Sequence, residues 1–349
     1  MVNLAIGRRR ALSGLAAAAI LATAPLAAAV AQTPAEFYAG KSIDLLIGYS
    51  PGGGYDTYGR MVARHMGKHI PGNPDIVPKN MPGAGSLKLT NFLYNVAPKD
   101  GTVFGIIGRG IAMEPLLGGE GTNFDALKFN WIGSANNEVS ICAAWHETGI
   151  ETFEDILEKE LIVGGTGSGA DTDTFPLVLN NVFDTKLKLI SGYPGGSDVL
   201  LAMERGEVGG RCGWSWSSVK TNHMHWVEGK KINILVQMSM NKHPDLPDVP
   251  LIIDLAETKE QKQVLALIFS RQTMGRPFVA PPDIPADRVE ALRAAFDATM
   301  ADPEFLAEAQ KADLEITPVT GTEIQALLVD IYDTPKKVVE RAAKAAQGQ

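Results

Sequence analysis

Eight short apolar runs, most of them followed by a stretch of helical spacing, constrain this chain more than any other feature. They lie at 43–49, 103–107, 141–145, 161–164, 187–191, 208–213, 232–238 and 276–280. Several are apolar without alternation, as strands covered on both faces are. Between them, 55–69 places Tyr58, Met61, Val62, His65 and Met66 on one helical face, and 86–96 does the same with Leu89, Phe92, Leu93 and Val96. Strands alternating with helices predict a parallel α/β architecture wound with right-handed crossovers. The C-terminal stretch from Pro281 on is nearly all helical, with Pro285 and Pro303 expected just inside helix starts and Asp302 capping the second.

The first 31 residues have a different purpose. Arg8, Arg9 and Arg10 precede an alanine-rich apolar stretch that ends in Ala29-Val30-Ala31. That is the layout of a secretory signal peptide, with cleavage expected after Ala31. The arginines only loosely match a twin-arginine signal, which leaves Sec or twin-arginine export open. A membrane anchor fits poorly, because Pro25 interrupts the stretch and no other run approaches the ~20 apolar residues of a span. The expected mature chain is exported and soluble. The chain carries 32 Lys+Arg against 40 Asp+Glu, and losing the leader's arginines makes it more acidic still. No basic stripe offsets that balance, so a nucleic-acid partner is not expected.

Four glycine-rich turns each precede a helical pattern: "SPGGGYDTY" (50–58), "NMPGAGSLK" (80–88), "GGTGSGADTDT" (164–174) and "YPGGSDVL" (193–200). A helix start has unpaired N–H groups and the positive end of the macrodipole. Glycine there lets a ligand approach the backbone, so such ends bind carboxylate or phosphate without a basic side chain. Any one of these clusters could be a bare tight turn. Four together, flanked by Ser50, Ser86, Thr166, Ser168, Thr172 and Ser197, point to an anion site at the C-terminal edge of a sheet.

Rival chemistries fare less well. No cluster supplies the Gly-Lys-Ser/Thr of a P-loop, and "GTGSGA" (165–170) is a weak dinucleotide fingerprint. A hydrolase elbow fails at Ser168, since Thr166 occupies the place of the first glycine. His65 and His69, or His223 and His225, could share a metal, but neither pair has a third ligand at recognisable spacing. No metal and no cofactor is called for. Arg109 and Arg211, at strand ends, could grip a carboxylate or form inter-element ion pairs. The aromatics of "WSWSS" (214–218) could pack in the core or wall a cleft. Cys142 and Cys212 could pair in an oxidising compartment or stay as buried thiols.

"IDLLIGYSPGGGYDTYGRMVARHM" and "VPKNMPGAGSLKLTNFLYNVAPKDGTVFGII" resemble the opening blocks of the periplasmic receptors of tripartite tricarboxylate transporters, the Bug receptors. "GYPGGSDVLLAMERGEVGGRCG", "HPDLPDVP" and "FVAPPDIPADRVEALRAAF" are similar to later blocks, so the resemblance spans the chain beyond the leader. It implies a type II-like periplasmic binding protein, two α/β domains with a ligand cleft between them. The carried-over ligand residues are Pro51, Gly52, Gly53, Gly54, Tyr55 and Asp56, then Gly83, Ala84, Gly85 and Ser86. The second domain adds Thr166, Gly167, Ser168, Gly169 and Thr172, then Tyr193, Pro194, Gly195, Gly196, Ser197 and Asp198. Tyr55, Arg109 and the "RCGWSW" block depart from the usual pattern, which leaves the carboxylate's identity open.

The expected domains are 32–137 plus 270–349 and 138–269, closing by hinge bending on a small organic carboxylate. The expected chain is a monomer, not an enzyme, that passes its ligand to integral membrane transporter subunits. The alternatives are a secreted hydrolase using Ser168 and a ligand-sensing subunit for a membrane kinase.

Overall fold

The computed structural model describes residues 32–347, so the leader and its cleavage site lie outside the described residues. Eleven strands form two sheets. The first contains β1 (Ser42–Ile47), β2 (Asp75–Asn80), β3 (Val103–Ile106), β4 (Asn130–Ser134), β10 (Pro277–Ala280) and β11 (Val319–Thr320), in the order β11-β4-β10-β3-β1-β2. The second contains β5 (Ser140–Trp145), β6 (Leu161–Gly164), β7 (Leu187–Ile190), β8 (Gly210–Ser215) and β9 (Ile232–Met238), in the order β7-β6-β8-β5-β9.

The sheets are mixed, which corrects the expectation of a parallel architecture. β1 is parallel to β2 and β3, and β6 to β7 and β8, as helical crossovers require. β10 runs antiparallel to β3 and β4, and β5 antiparallel to β8 and β9. β10 joins the first sheet only after the chain has run through all five strands of the second, so no single crossover sets its direction. An apolar run shows that a strand is buried but not which way it points.

β2, β4 and β11 were not anticipated. β2 reads "DIVPKN" and alternates exposed and half-buried residues at the sheet's edge. Pro78 lacks an N–H and is tolerated there because an edge strand leaves one side of its ladder unpaired. Pro285 is the N-cap of the Ala286–Met300 helix rather than its first residue. Pro303 does open its helix, and Asp302 accepts a hydrogen bond from the Glu304 N–H at 2.9 Å.

Ile43, Leu45, Ile47, Phe104, Ile106 and Phe278 form one buried face of the first sheet, packed in a cluster with Tyr58, Met61, Val62, Leu292 and Phe296. Each such side chain contributes about 1.5–3 kcal/mol when fully buried. The Lys336–Gln347 helix packs on the Asp171–Phe183 and Lys259–Phe269 helices, tying the C-terminus to the layer beside the second sheet. His65 and His69 each bond a carboxylate of the neighbouring segment, Glu308 at 2.6 Å and Asp302 at 2.8 Å. Lys68 already neutralises Asp302, at 2.6 Å. No described helix is long and apolar enough to cross a membrane.

Cys142 on β5 and Cys212 on β8 are joined in a disulfide across adjacent strands. The bond closes a loop with a sequence separation of 70 residues. Limiting the unfolded chain in this way stabilises the fold by about 2–4 kcal/mol. Thermal unfolding with and without reductant should show a melting temperature several degrees lower once the bond is reduced. An unchanged melting temperature after verified reduction would exclude that contribution.

Candidate functional site

Three of the glycine turns meet where the C-terminal ends of β1, β6 and β7 face each other. Ser50 Oγ donates to Asp198 at 2.6 Å, Ser50 N–H to Pro194 O at 3.3 Å, and Ser197 Oγ to Pro51 O at 3.2 Å. Gly85 N–H donates to Thr166 O at 2.9 Å. Between them lies a cleft walled by both sheets. From the first sheet's side come Tyr49, Gly52, Gly53, Gly54, Tyr55, Gly108, Arg109 and Gly110. Thr166, Ala170, Asp171, Thr172, Gly196, Ser197, Leu200, Arg211, Gly213, Trp214, Ser215, Ser218, Asn222, His223 and Arg276 complete it. The cavity is about 60 Å³. At ~10–15 Å³ for one water, that is room for a compact ligand only.

Three helices aim their starts at this space: Gly54–Met66, Asp171–Phe183 and Gly196–Glu204. Their N-caps are Gly53, Ala170 and Gly195, and no side chain caps any of them. Part of the first-turn positive potential is therefore unanswered within the fold. Asp56 instead stabilises its own loop, accepting from Gly52 N–H at 3.0 Å and from Arg60 at 2.9 Å. Thr172 Oγ1 accepts from Thr166 N–H at 3.0 Å, and Asp173 accepts from Gly167 N–H at 2.8 Å.

Arginine supplies most of the formal charge. Arg109 is buried, and its Nε lies 2.6 Å from Asp171. Its other nitrogens bond Ser140 Oγ at 2.8 Å, Gly275 O at 3.1 Å and Ser215 Oγ. Burial opposes its charge, but Asp171 outweighs that and raises its pKa. Arg109 is an inter-element ion pair linking the end of β3 to the second sheet. Arg276 is equally buried and is held by Glu138 at 3.2 Å and by Ser215, Ser217 and Ser218. Its guanidinium lies 4.8 Å from the Tyr55 ring centroid, a cation–π contact.

Arg211 is different. Among the described residues no carboxylate pairs with it, and its sealed Nε has no hydrogen-bond partner. Its Nη1 donates to Gly196 O at 3.1 Å. A Cβ at Gly196 would stand 2.4 Å from its Nη2, so that glycine makes room for the guanidinium at the helix start. Burial first, and then repulsion from Arg276 and Arg109, push its pKa down to about 9. It remains a cation at neutral pH. Arg109 and the buried Arg271 both pair with Asp171, Arg276 pairs with Glu138, and Arg211 is left facing the cleft without a carboxylate.

Of the residues singled out in the sequence, the cleft wall gathers Gly52, Gly53, Gly54, Tyr55, Arg109, Thr166, Thr172, Gly196, Ser197 and Arg211. Pro51, Asp56, Tyr193, Pro194, Gly195 and Asp198 sit in the same turns behind the wall, where they shape the loops and join them. The 83–86 turn stands apart as a buttress. Tyr49 OH donates to Gly85 O at 3.0 Å, and Ser86 Oγ accepts from Gly108 N–H at 2.7 Å. Ser168 and Gly169 line a separate pocket with Glu114, and Gly167 packs on the Ala84–Gly85 backbone. Arg276, Asp171 and His223 were missed as site residues. Arg276 shows no local signal in "MGRPFV", because its partners lie 58 to 61 and more positions away.

No family model matches the chain. A UPF0065 protein encoded in the gbd 5' region of Cupriavidus necator is 24% identical over 345 residues, covering 97% of this chain and 98% of that one. The solved periplasmic binding protein BugD superposes with a TM-score of 0.71 at 18% identity, covering 88% of this chain and 98% of its own. The fold is that of the Bug periplasmic binding proteins. MatC from Rhodopseudomonas palustris, solved with bound malate, shares it with a TM-score of 0.67 at 17% identity, covering 86% of this chain and 99% of MatC.

Proposed function

We propose that this chain is an exported solute receptor of the Bug type. It captures a small organic carboxylate between its two lobes and delivers it to the integral membrane subunits of a tripartite tricarboxylate-type transporter. The observation that carries the reading is the unpaired Arg211 guanidinium beside the uncapped start of the Gly196–Glu204 helix. A desolvated cation next to a positive helix end is costly until an anion answers both. A carboxylate does so with two parallel N–H···O bonds to the guanidinium and further bonds from the helix amides.

The lobes are 32–137 plus 270–349 and 138–269, a division supported by the separate sheets. The contacts of Ser50 with Pro194 and Asp198 and of Gly85 with Thr166 suit a closed state whose formation the ligand favours. Holding rather than transforming is supported by the cleft's contents. Ser168 lies outside it, and its hydroxyl donates to Glu114 at 3.4 Å. Native mass spectrometry of the protein as purified, followed by thermal-shift screening of mono-, di- and tricarboxylates, tests the ligand class. A carboxylate should raise the melting temperature by an amount that grows as RT ln(1 + [L]/Kd). Stabilisation by neutral sugars or amines alone would overturn the reading.

A further inference from the structure

The cleft wall holds four groups that carry or can carry positive charge: Arg109, Arg211, Arg276 and His223. Arg109 pairs with Asp171, and Arg276 with Glu138. Burial, then the charges of Arg211 and His225, lower the His223 pKa to about 4, so that ring is uncharged at neutral pH. Among the described residues of the wall, Arg211 is thus the one cation without a counter-charge. Asp171 lines the same cleft as a fixed negative charge. One bound carboxylate balances Arg211, and a second would enter with no free cation to meet it.

Space is limited on the first lobe's side by Tyr55, in the first turn of the Gly54–Met66 helix. Its ring stacks on Tyr49, with centroids 4.6 Å apart and planes 21° apart. The Arg276 guanidinium carbon lies 4.8 Å from the Tyr55 centroid, so the ring covers that cation. The Tyr55 hydroxyl accepts from Arg109 N–H at 3.2 Å, which fixes the far end of the ring. The helix start beside it is already close to the other lobe. A Cβ at Gly54 would stand 2.2 Å from Ser218 Oγ and 2.9 Å from Arg276 Nη2. What remains is the cavity of about 60 Å³, the space of about four to six waters.

We propose that Tyr55 restricts the cleft to compact monocarboxylates, its ring filling the room and covering the Arg276 guanidinium that a second carboxylate would need. This assignment rests on the carboxylate-receptor reading above. An ionised group carried into a closed cleft without a partner costs far more than a methyl group in the same place. The ligand end away from Arg211 is therefore uncharged. Leu200 and the Tyr55 ring, both in the wall, give it apolar surface.

The test is calorimetric titration with acids of equal carbon number that differ by one carboxylate: propionate with malonate, butyrate with succinate, pentanoate with glutarate. The pH is set where every acid is fully ionised. In at least one pair the wild-type protein should bind the monocarboxylate roughly 100-fold tighter. Tyr55→Phe keeps the ring and should keep most of that ratio. Tyr55→Ala removes the ring and uncovers Arg276, and should shrink the ratio by about 10-fold or more by admitting the dicarboxylate. Thermal unfolding verifies that the variants fold, and Tyr55→Leu carries the test if the alanine variant does not. A wild-type protein that binds the dicarboxylate of each pair as tightly as its partner, or tighter, overturns the monocarboxylate assignment and leaves the receptor reading standing. A ring-deleted variant with the wild-type ratio overturns the role of Tyr55. Binding of no carboxylate at all overturns the receptor reading as well.

Discussion

Replacing Arg211 with methionine should weaken carboxylate binding about 100- to 1,000-fold while making the ligand-free protein more stable. The two effects have one cause. Without ligand, the guanidinium is a half-buried cation with no carboxylate partner, repelled by Arg276 and Arg109. Methionine keeps much of the stem's packing and removes the desolvated charge, for a gain of about 1–2 kcal/mol. With ligand, the same substitution removes a charge-assisted, two-pronged contact. Losing one partner of such a pair costs about 2–5 kcal/mol, most of it in the dissociation rate. Denaturant unfolding of the free protein and calorimetric titration of the bound one measure the two signs separately. A variant that loses stability and keeps its affinity would show that Arg211 is a structural residue.

The second large effect is expected at Glu138, with the opposite signs. Its carboxylate is sealed in the core between the sheets, where it accepts from Ser217 Oγ at 2.5 Å and Asn136 Nδ2 at 3.2 Å and pairs with Arg276 at 3.2 Å. Glu138→Gln preserves the shape and removes the charge, leaving Arg276 buried without compensation. That should cost about 3–5 kcal/mol of stability. The cleft wall then holds a second guanidinium, Arg276, without a carboxylate beside Arg211. A saturating carboxylate should therefore raise the variant's melting temperature by more than it raises the wild type's. Thermal unfolding at matched ligand concentrations checks both statements. Equal ligand shifts in the two proteins would mean that the charge balance of the cleft does not govern binding.

Much of the fold was legible because its signals are local. Apolar runs marked eight strands within two residues of where they lie, and glycine turns marked the helix starts. What was not legible depends on distant partners. β2 escaped notice because Pro78, Lys79 and Asn80 do not look like a strand until β1 is placed beside them. The antiparallel entry of β10 follows from the chain's long detour through the second sheet. The site divides the same way. Gly52 to Tyr55 and Gly196 to Ser197 line the cleft as backbone at helix starts, which sequence can show. The 83–86 turn has the same composition and yet supports Gly108 and Thr166 from behind. Composition tells that a backbone can be approached, not what approaches it. Arg109 and Arg211 looked alike as letters near strand ends. The difference between them is Asp171, 62 residues from Arg109 in sequence and 2.6 Å away in space.

The most direct test of a carboxylate clamp at Arg211 is a crystal structure with the carboxylate that stabilises the protein most. The clamp predicts ligand oxygens within hydrogen-bond distance of the Arg211 guanidinium and of the amides at the start of the Gly196–Glu204 helix. A ligand seated elsewhere in the cleft, with Arg211 left unpaired, would contradict it.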